Sequence, residues 1–252
     1  MKTLAHKLIS VASGVPSIAT GDIVICNVDL AMIHDSGGPR RVKPILERLN
    51  RSVWDKDKVV VVTDHYVPAT NAETQAIQAL TKEWVREQDI EKFYDEQGIC
   101  HVVLPERGHL SPGKFCVGGD SHSPTGGAFG AYMFGIGATE MAGVLATGTI
   151  WIKVPETILI RWHNQLSPFV TAKDMMLATC RKIGMGGGRY QAIQFAGDAV
   201  RQLGMQDRMT LSNMAAELGA QAGLIAPDET TIDYIHKAGG IVPEDWRSYQ
   251  IE

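Results

Sequence analysis

The sequence predicts an α/β protein, a three-layer α/β/α arrangement around a mostly parallel sheet. Short apolar, β-branched runs alternate with segments of helical periodicity, and polar groups recur where those runs stop. The clearest such stop is Cys116-Val-Gly-Gly-Asp-Ser-His-Ser-Pro-Thr-Gly-Gly-Ala-Phe-Gly130, where a strand delivers Asp120, Ser121 and His122 into a glycine-rich turn. In open α/β sheets the carboxyl ends of strands are where ligands bind. Ser-Pro-Thr-Gly-Gly is also ordinary turn chemistry, so the triplet by itself is open to either reading.

In chain order, residues 2–13 read as an amphipathic helix and Gly21–Cys26 as a strand leading to His34-Asp35. Pro39 opens a helix with Val42, Ile45, Leu46 and Leu49 on one face. Val59–Thr63 has the composition of a strand buried on both faces and ends in Asp64-His65. Thr70 and Glu73 suggest a capping box for a helix running to Arg86. Residues 90–97 are expected to be helical, and 98–104 to be a strand carrying His101. Small residues then mark a helix through Ala138, Met141, Val144 and Leu145, followed by strands at 150–154 and 157–162. Asn164–Pro168 is the expected boundary between a first domain, 1–163, and a smaller second one, 164–252. In the latter, Thr171 and Asp174 start a helix, Gly184–Gly188 ends it, 191–195 is a strand, and 210–221 is the last clear helix.

The chain has 252 residues, 44% of them hydrophobic, and 28 carboxylates against 24 Lys and Arg. That balance points away from nucleic acid and anionic membranes as partners. Apolar runs fall short of a membrane span, and the charged N-terminus is unlike a signal peptide, so a cytoplasmic protein is expected. Cys26, Cys100, Cys116 and Cys180 are scattered without a Cys-x-x-Cys pair, and neither a zinc nor a local cluster motif is visible. The first three lie in apolar runs and read as small buried hydrophobes.

Acid and imidazole recur together at His34-Asp35, Asp64-His65 and Asp120-Ser-His122, with His101 nearby. A carboxylate beside an imidazole fixes its tautomer and raises its basicity, which suits a general acid near neutral pH. Asn213 and Glu217, four residues apart, would share one helix face, and a surface role for Glu217 is the simpler reading. His6, His163 and His236 read as surface residues, His109 as a loop residue, and Gly184–Arg189 as a turn that matches no phosphate-loop pattern.

Five ordered motifs now make the chain resemble the aconitase superfamily, most closely the large subunits of isopropylmalate isomerase and homoaconitase. They are His34-Asp-Ser-Gly-Gly-Pro, Val62-Thr-Asp-His-Tyr-Val-Pro-Ala, Gly98-Ile-Cys-His-Val-Val-Leu-Pro-Glu, Gly119-Asp-Ser-His-Ser-Pro-Thr-Gly-Gly-Ala-Phe-Gly and Leu211-Ser-Asn-Met-Ala-Ala-Glu-Leu-Gly-Ala. The resemblance implies the family's first two domains and a dehydration and rehydration of a 2-hydroxy di- or tricarboxylic acid, with a [4Fe-4S] cluster as Lewis acid. By position, Asp64 and His65 resemble the pair that protonates the departing hydroxyl. His101, Asp120 and His122 resemble residues that hold the hydroxyl or water. Ser121 and His34 fall at substrate-contacting positions, and Asn213 and Glu217 near the cluster and its bound water, which reverses the surface reading of Glu217.

The departures are equally specific. None of the four cysteines matches a cluster ligand, so no metal is expected on this chain. The resemblance stops short of the cluster-binding part and of the swivelling domain, often a small separate subunit. Gly119 replaces the usual Thr, and Leu211-Ser212 the frequent Ile-Cys. The chain is therefore expected to be the N-terminal part, truncated or split, of a hydro-lyase completed by another polypeptide and inactive alone. A cluster-free binding or assembly module and a divalent-metal hydrolase are the alternatives. Self-association through apolar surface left uncovered is a further expectation.

Overall fold

The computed structural model describes residues 3–252. Helix α1 (Leu4–Ser13) is capped by Thr3, and the expected helix start at Lys2 lies outside the described residues. Strands β1 (Ile23–Asn27) and β2 (Leu30–His34) follow, then α2 (Pro39–Arg48), opened by Pro39. Next come β3 (Val59–Thr63) and α3 (Ala72–Glu87). The cap of α3 is Asn71 with Thr74, not Thr70 with Glu73, because Asn71 accepts from the Thr74 N–H at 3.0 Å.

Two elements differ in kind from expectation. Residues 93–95 form the short strand β4 (Phe93–Asp95) beside β3, where a helix was expected. Residues 98–104, expected as a strand, give helix α4 (Cys100–Glu106). The apolar run fits both periods, but burial selects the helical one: Cys100, Val103 and Leu104 are inside while Ile99 and Val102 are exposed. His101 therefore stands on the first turn of a helix.

The chain continues through β5 (Phe115–Gly118), β6 (Tyr132–Gly135), α5 (Ala138–Thr147), β7 (Thr149–Lys153) and β8 (Thr157–Arg161). It closes with α6 (Ala172–Ile183), β9 (Ala192–Ala196), the single turn α7 (Asp198–Arg201), α8 (Met205–Asn213), β10 (Ala222–Ile225) and α9 (Glu229–Lys237). The helix expected over 210–221 is broken. Helix α8 ends at Asn213, and a 3-10 turn (Ala216–Leu218) closes at Gly219, whose φ of 69° leaves the right-handed region.

The main sheet is fully parallel, in the order β4-β3-β2-β5-β6. Alternate residues of β3 enter different cores, Val59 and Val61 with α1, α2, α3 and α5, Val60 and Val62 with α4, α8 and α9. This is the expected layering of helices on both faces. The order places a topological switch between β2 and β5, where the chain leaves the sheet centre in opposite directions, and a crevice forms there. A second parallel sheet, β10-β9-β8, begins before Asn164, so the sheets divide between β7 and β8. Strands β1 and β7 make a separate antiparallel pair.

The two parallel sheets meet through a buried 3-10 segment, Ser123–Phe129, that follows the Asp120-Ser121-His122 triplet. It packs against both α8 and β10. A methyl group at Gly127 would lie 1.9 Å from the Gly223 carbonyl oxygen of β10, a backbone atom that cannot swing aside. Gly127→Ala is thus expected to lower stability by at least about 1–3 kcal/mol in urea unfolding; an unchanged midpoint would refute the tightness of this joint.

Candidate active site

The polar residues at the ends of β2, β3 and β5 converge on the crevice at the switch point. Asp35, directly after β2, is fully buried and acts as its anchor. Its Oδ1 accepts the His65 N–H at 3.1 Å and, more weakly, the Asp64 N–H at 3.4 Å, and its Oδ2 accepts the Tyr66 N–H at 3.0 Å. One carboxylate thereby fixes the backbone of the Asp64-His65 turn. The sequence marks Asp35 only as an acid beside an imidazole, and its anchoring role is invisible there.

Asp64 and His65 are hydrogen-bonded to one another. His65 Nδ1 donates to Asp64 Oδ1 at 2.6 Å, and Asp64 Oδ2 accepts the Cys100 N–H at 2.7 Å, supplying the first turn of α4 with the cap its own sequence lacks. His34 stacks on His65, with ring centroids 3.9 Å apart and planes at 9°. Both its nitrogens are engaged: Nε2 donates to the Gly119 carbonyl at 2.9 Å and Nδ1 accepts the Gly37 N–H at 3.4 Å. Burial, and next the neighbouring His65, hold the pKa of His34 below its usual value and keep the ring neutral.

Asp120 is the centre of the array. Four imidazoles surround its carboxylate: His101 Nε2 at 2.6 Å, His65 Nε2 at 3.6 Å, His122 Nδ1 at 3.7 Å and His34 Nε2 at 4.0 Å. The His101 hydrogen bond, with the His122 N–H bonded at 2.8 Å, holds the Asp120 carboxyl far below the usual carboxylate range against the opposing effect of burial. The close fit needs Gly135 on the adjoining strand, because a Cβ there would lie 2.5 Å from the Asp120 carbonyl oxygen.

The remaining expected residues join from the second sheet's side. His122 Nε2 meets Glu217 Oε1 at 3.0 Å, and Asn213 Nδ2 donates to Thr125 Oγ1 at 2.9 Å. Ser121 lies at the exposed rim, its Oγ 3.3 Å from His122 Nδ1. Open space borders the array on two sides, a cavity of about 390 Å3 along Asp120 and Ser121 and one of about 590 Å3 along His101, Asn213 and Glu217. All nine residues singled out in the sequence therefore belong to one neighbourhood, although Asn213 and Glu217 arrive from separate elements instead of one helix face.

The four donors His34, Asp35, Asp64 and His65 lie within 4.8 Å of one another, close enough to hold a cation. Except for His65 Nε2, the ring nitrogens and each carboxylate oxygen of these four residues already take part in the hydrogen bonds above. The group is held together mainly as a hydrogen-bonded array.

Comparison with known proteins decides the family. A model of the aconitase family (aconitate hydratase) matches residues 8–250. The chain belongs to the aconitase family. A 3-isopropylmalate dehydratase large subunit of Methanopyrus kandleri is 47% identical over 240 residues, 95% of this chain and 57% of that protein. A probable methanogen homoaconitase large subunit of Methanosarcina mazei is 45% identical over 213 residues, 84% of this chain and 54% of that protein. The chain thus spans a little over half the length of these aconitase-family relatives. The crystal structure of Thermococcus kodakaraensis aconitase X in its holo-form has the same general fold at 12% identity, with a TM-score of 0.50, covering 97% of this chain and 64% of that one. Among the described residues, no helix is long and apolar enough to cross a membrane.

Proposed function

We propose that the chain supplies the acid–base half of a hydro-lyase that isomerises a 2-hydroxy di- or tricarboxylic acid, such as isopropylmalate, by dehydration and rehydration. Four imidazoles around the Asp120 carboxylate, one of them backed by Asp64, carry this reading. A hydroxyl departs readily only as water, so a proton must reach its oxygen. His65 Nε2 makes no hydrogen bond among the described residues and faces Asp120 Oδ2 across 3.6 Å, while Asp64 stabilises the charged ring from Nδ1. That nitrogen is the proton donor in dehydration and recovers the proton in the reverse direction, while the proton on the neighbouring carbon passes to a base of the swivel-domain partner. His101 and Asp120 form a second donor–acceptor pair for the hydroxyl or water, and His122 is steadied by Glu217. Ser121, at the rim, binds a substrate carboxylate.

The family implies a [4Fe-4S] cluster that activates the substrate hydroxyl, and the cysteines here do not fit one. Cluster ligands are thiolates. Burial pushes the Cys26 and Cys116 thiols up to about 12, and burial with the adjacent Asp64 raises Cys100 further. Among the described residues no group of cysteines gathers at a common point. Any cluster in the assembly is held by residues outside this segment, and a small swivel-domain subunit is a further partner. A bare assembly module has no need of so many partly buried acids and imidazoles, which are costly to hold out of water.

The test is complementation: the chain is mixed with the completing part and small subunit of an isopropylmalate dehydratase, and formation of unsaturated product from 3-isopropylmalate is followed. Dehydration is expected with the wild-type chain, and about 10²-fold less or below with His65→Gln. Assembly of the partners without turnover of any hydroxy acid would instead establish the assembly-module reading.

A further inference from the structure

Thr125 is buried within the 3-10 segment that joins the two parallel sheets. Its hydroxyl donates to the His122 carbonyl at 2.6 Å and meets Asn213 Nδ2 at 2.9 Å. A carbonyl oxygen can only accept, so the single hydroxyl proton is committed to His122. Thr125 Oγ1 can then only accept from Asn213, which turns the NH2 end of that amide toward it. The direction of the chain, from amide to hydroxyl to carbonyl, follows from bonding capacity alone. Thr81 and Thr179 also donate to a carbonyl one turn back, at 2.9 and 2.8 Å, a common habit of threonine. Neither of them has a second side-chain partner among the described residues. Thr125 differs in holding a side chain 88 positions away, from the other sheet's side.

The rest of the Asn213 amide is uncommitted. Its Oδ1 and second N–H make no hydrogen bond among the described residues, and Asn213 lines the 590 Å3 cavity with His101 and Glu217. The torsion that turns an asparagine amide is soft and roughly two-fold, so without an anchor either end can face that space. We propose that Thr125 is a positioning residue of the hydro-lyase site, whose hydroxyl locks the Asn213 amide in one orientation beside His101 and Glu217. The cavity thereby gains a fixed acceptor and donor for the substrate hydroxyl or the water derived from it. Groups set in this way need no reorganisation as the reaction proceeds. The same hydroxyl holds the backbone of His122, whose ring meets Glu217 at 3.0 Å, so one atom ties Asn213 to the segment carrying Asp120 and His122. The inference deepens the hydro-lyase reading and rests on it.

Two measurements test it. In the purified chain, one Asn213 Nδ2 proton is expected to lie away from the position of a free asparagine in the side-chain NMR spectrum. That displacement should persist in Thr125→Ser and vanish in Thr125→Val, which keeps the shape but not the hydroxyl. Both protons at free positions in the wild-type chain overturn the proposal, whether or not the valine variant folds. In the complemented enzyme acting on 3-isopropylmalate, Thr125→Val is expected to lower kcat by about 10-fold or more with KM near its wild-type value, and Thr125→Ser to retain most of the activity. In an Asn213→Ala background, Thr125→Val should have no further effect; the same fall there would show a purely structural role and overturn the proposal. If the wild-type assembly turns over no hydroxy acid while the displaced Asn213 proton is present, the hydro-lyase reading fails and takes the positioning role with it, and the orientation of the amide stands.

Discussion

Asp120→Asn is expected to lower the turnover of the complemented enzyme by about 10²–10³-fold, the scale seen when one preorganised electrostatic partner is lost. The amide keeps the shape but not the charge that His65, His101 and His122 face. The same substitution has a signature in the chain alone. The His101 hydrogen bond holds the Asp120 carboxyl far below its usual range, so the folded state binds its proton less readily than the unfolded chain does. The resulting stabilisation is complete above about pH 4, the unfolded carboxylate range, and is lost as pH falls through the depressed folded value. Urea unfolding should therefore show wild type more stable than Asp120→Asn at pH 7, with the gap narrowing at pH 3. A gap of equal size at both pH values would exclude the ionic account of this carboxylate.

Asp35→Ala is expected to cost about 2–4 kcal/mol, because it removes the buried carboxylate that three N–H donors share, an unsatisfied donor costing about 1–3 kcal/mol where water cannot reach it. Asp35→Asn, which retains a carbonyl oxygen, should lose less. The effect extends beyond stability, since the freed turn carries Asp64 and His65. The His65 imidazole signals should broaden or shift in Asp35→Ala even where the protein remains folded. A loss below about 0.5 kcal/mol, with His65 unmoved, would show that the turn holds itself.

Much of the fold was legible because β2, β3 and β5 are short apolar runs that end in polar groups, and strand ends at a switch point are where a crevice opens. The candidate residues were singled out by the same rule and by the family resemblance, and the structure brings them into one crevice. Helix α4 was misread since Ile99-Cys100-His101-Val102-Val103-Leu104 satisfies a strand as well as a helix, and only tertiary burial separates the two. The role of Asp35 was hidden for another reason. Its partners are backbone N–H groups some 30 residues away, which leave no mark on side-chain pattern.

The buried joint at Ser123–Phe129 has a consequence for modularity. His34, Asp64, His65, His101, Asp120 and His122 belong to the main sheet's side, whereas Asn213 and Glu217 reach Thr125 and His122 from the other, His122 and Glu217 being 95 positions apart in the chain. Cutting the chain between the sheets would divide the constellation, and transplanting either sheet would carry only a fragment of it. The two sheets are therefore separate as architecture but a single unit of inheritance.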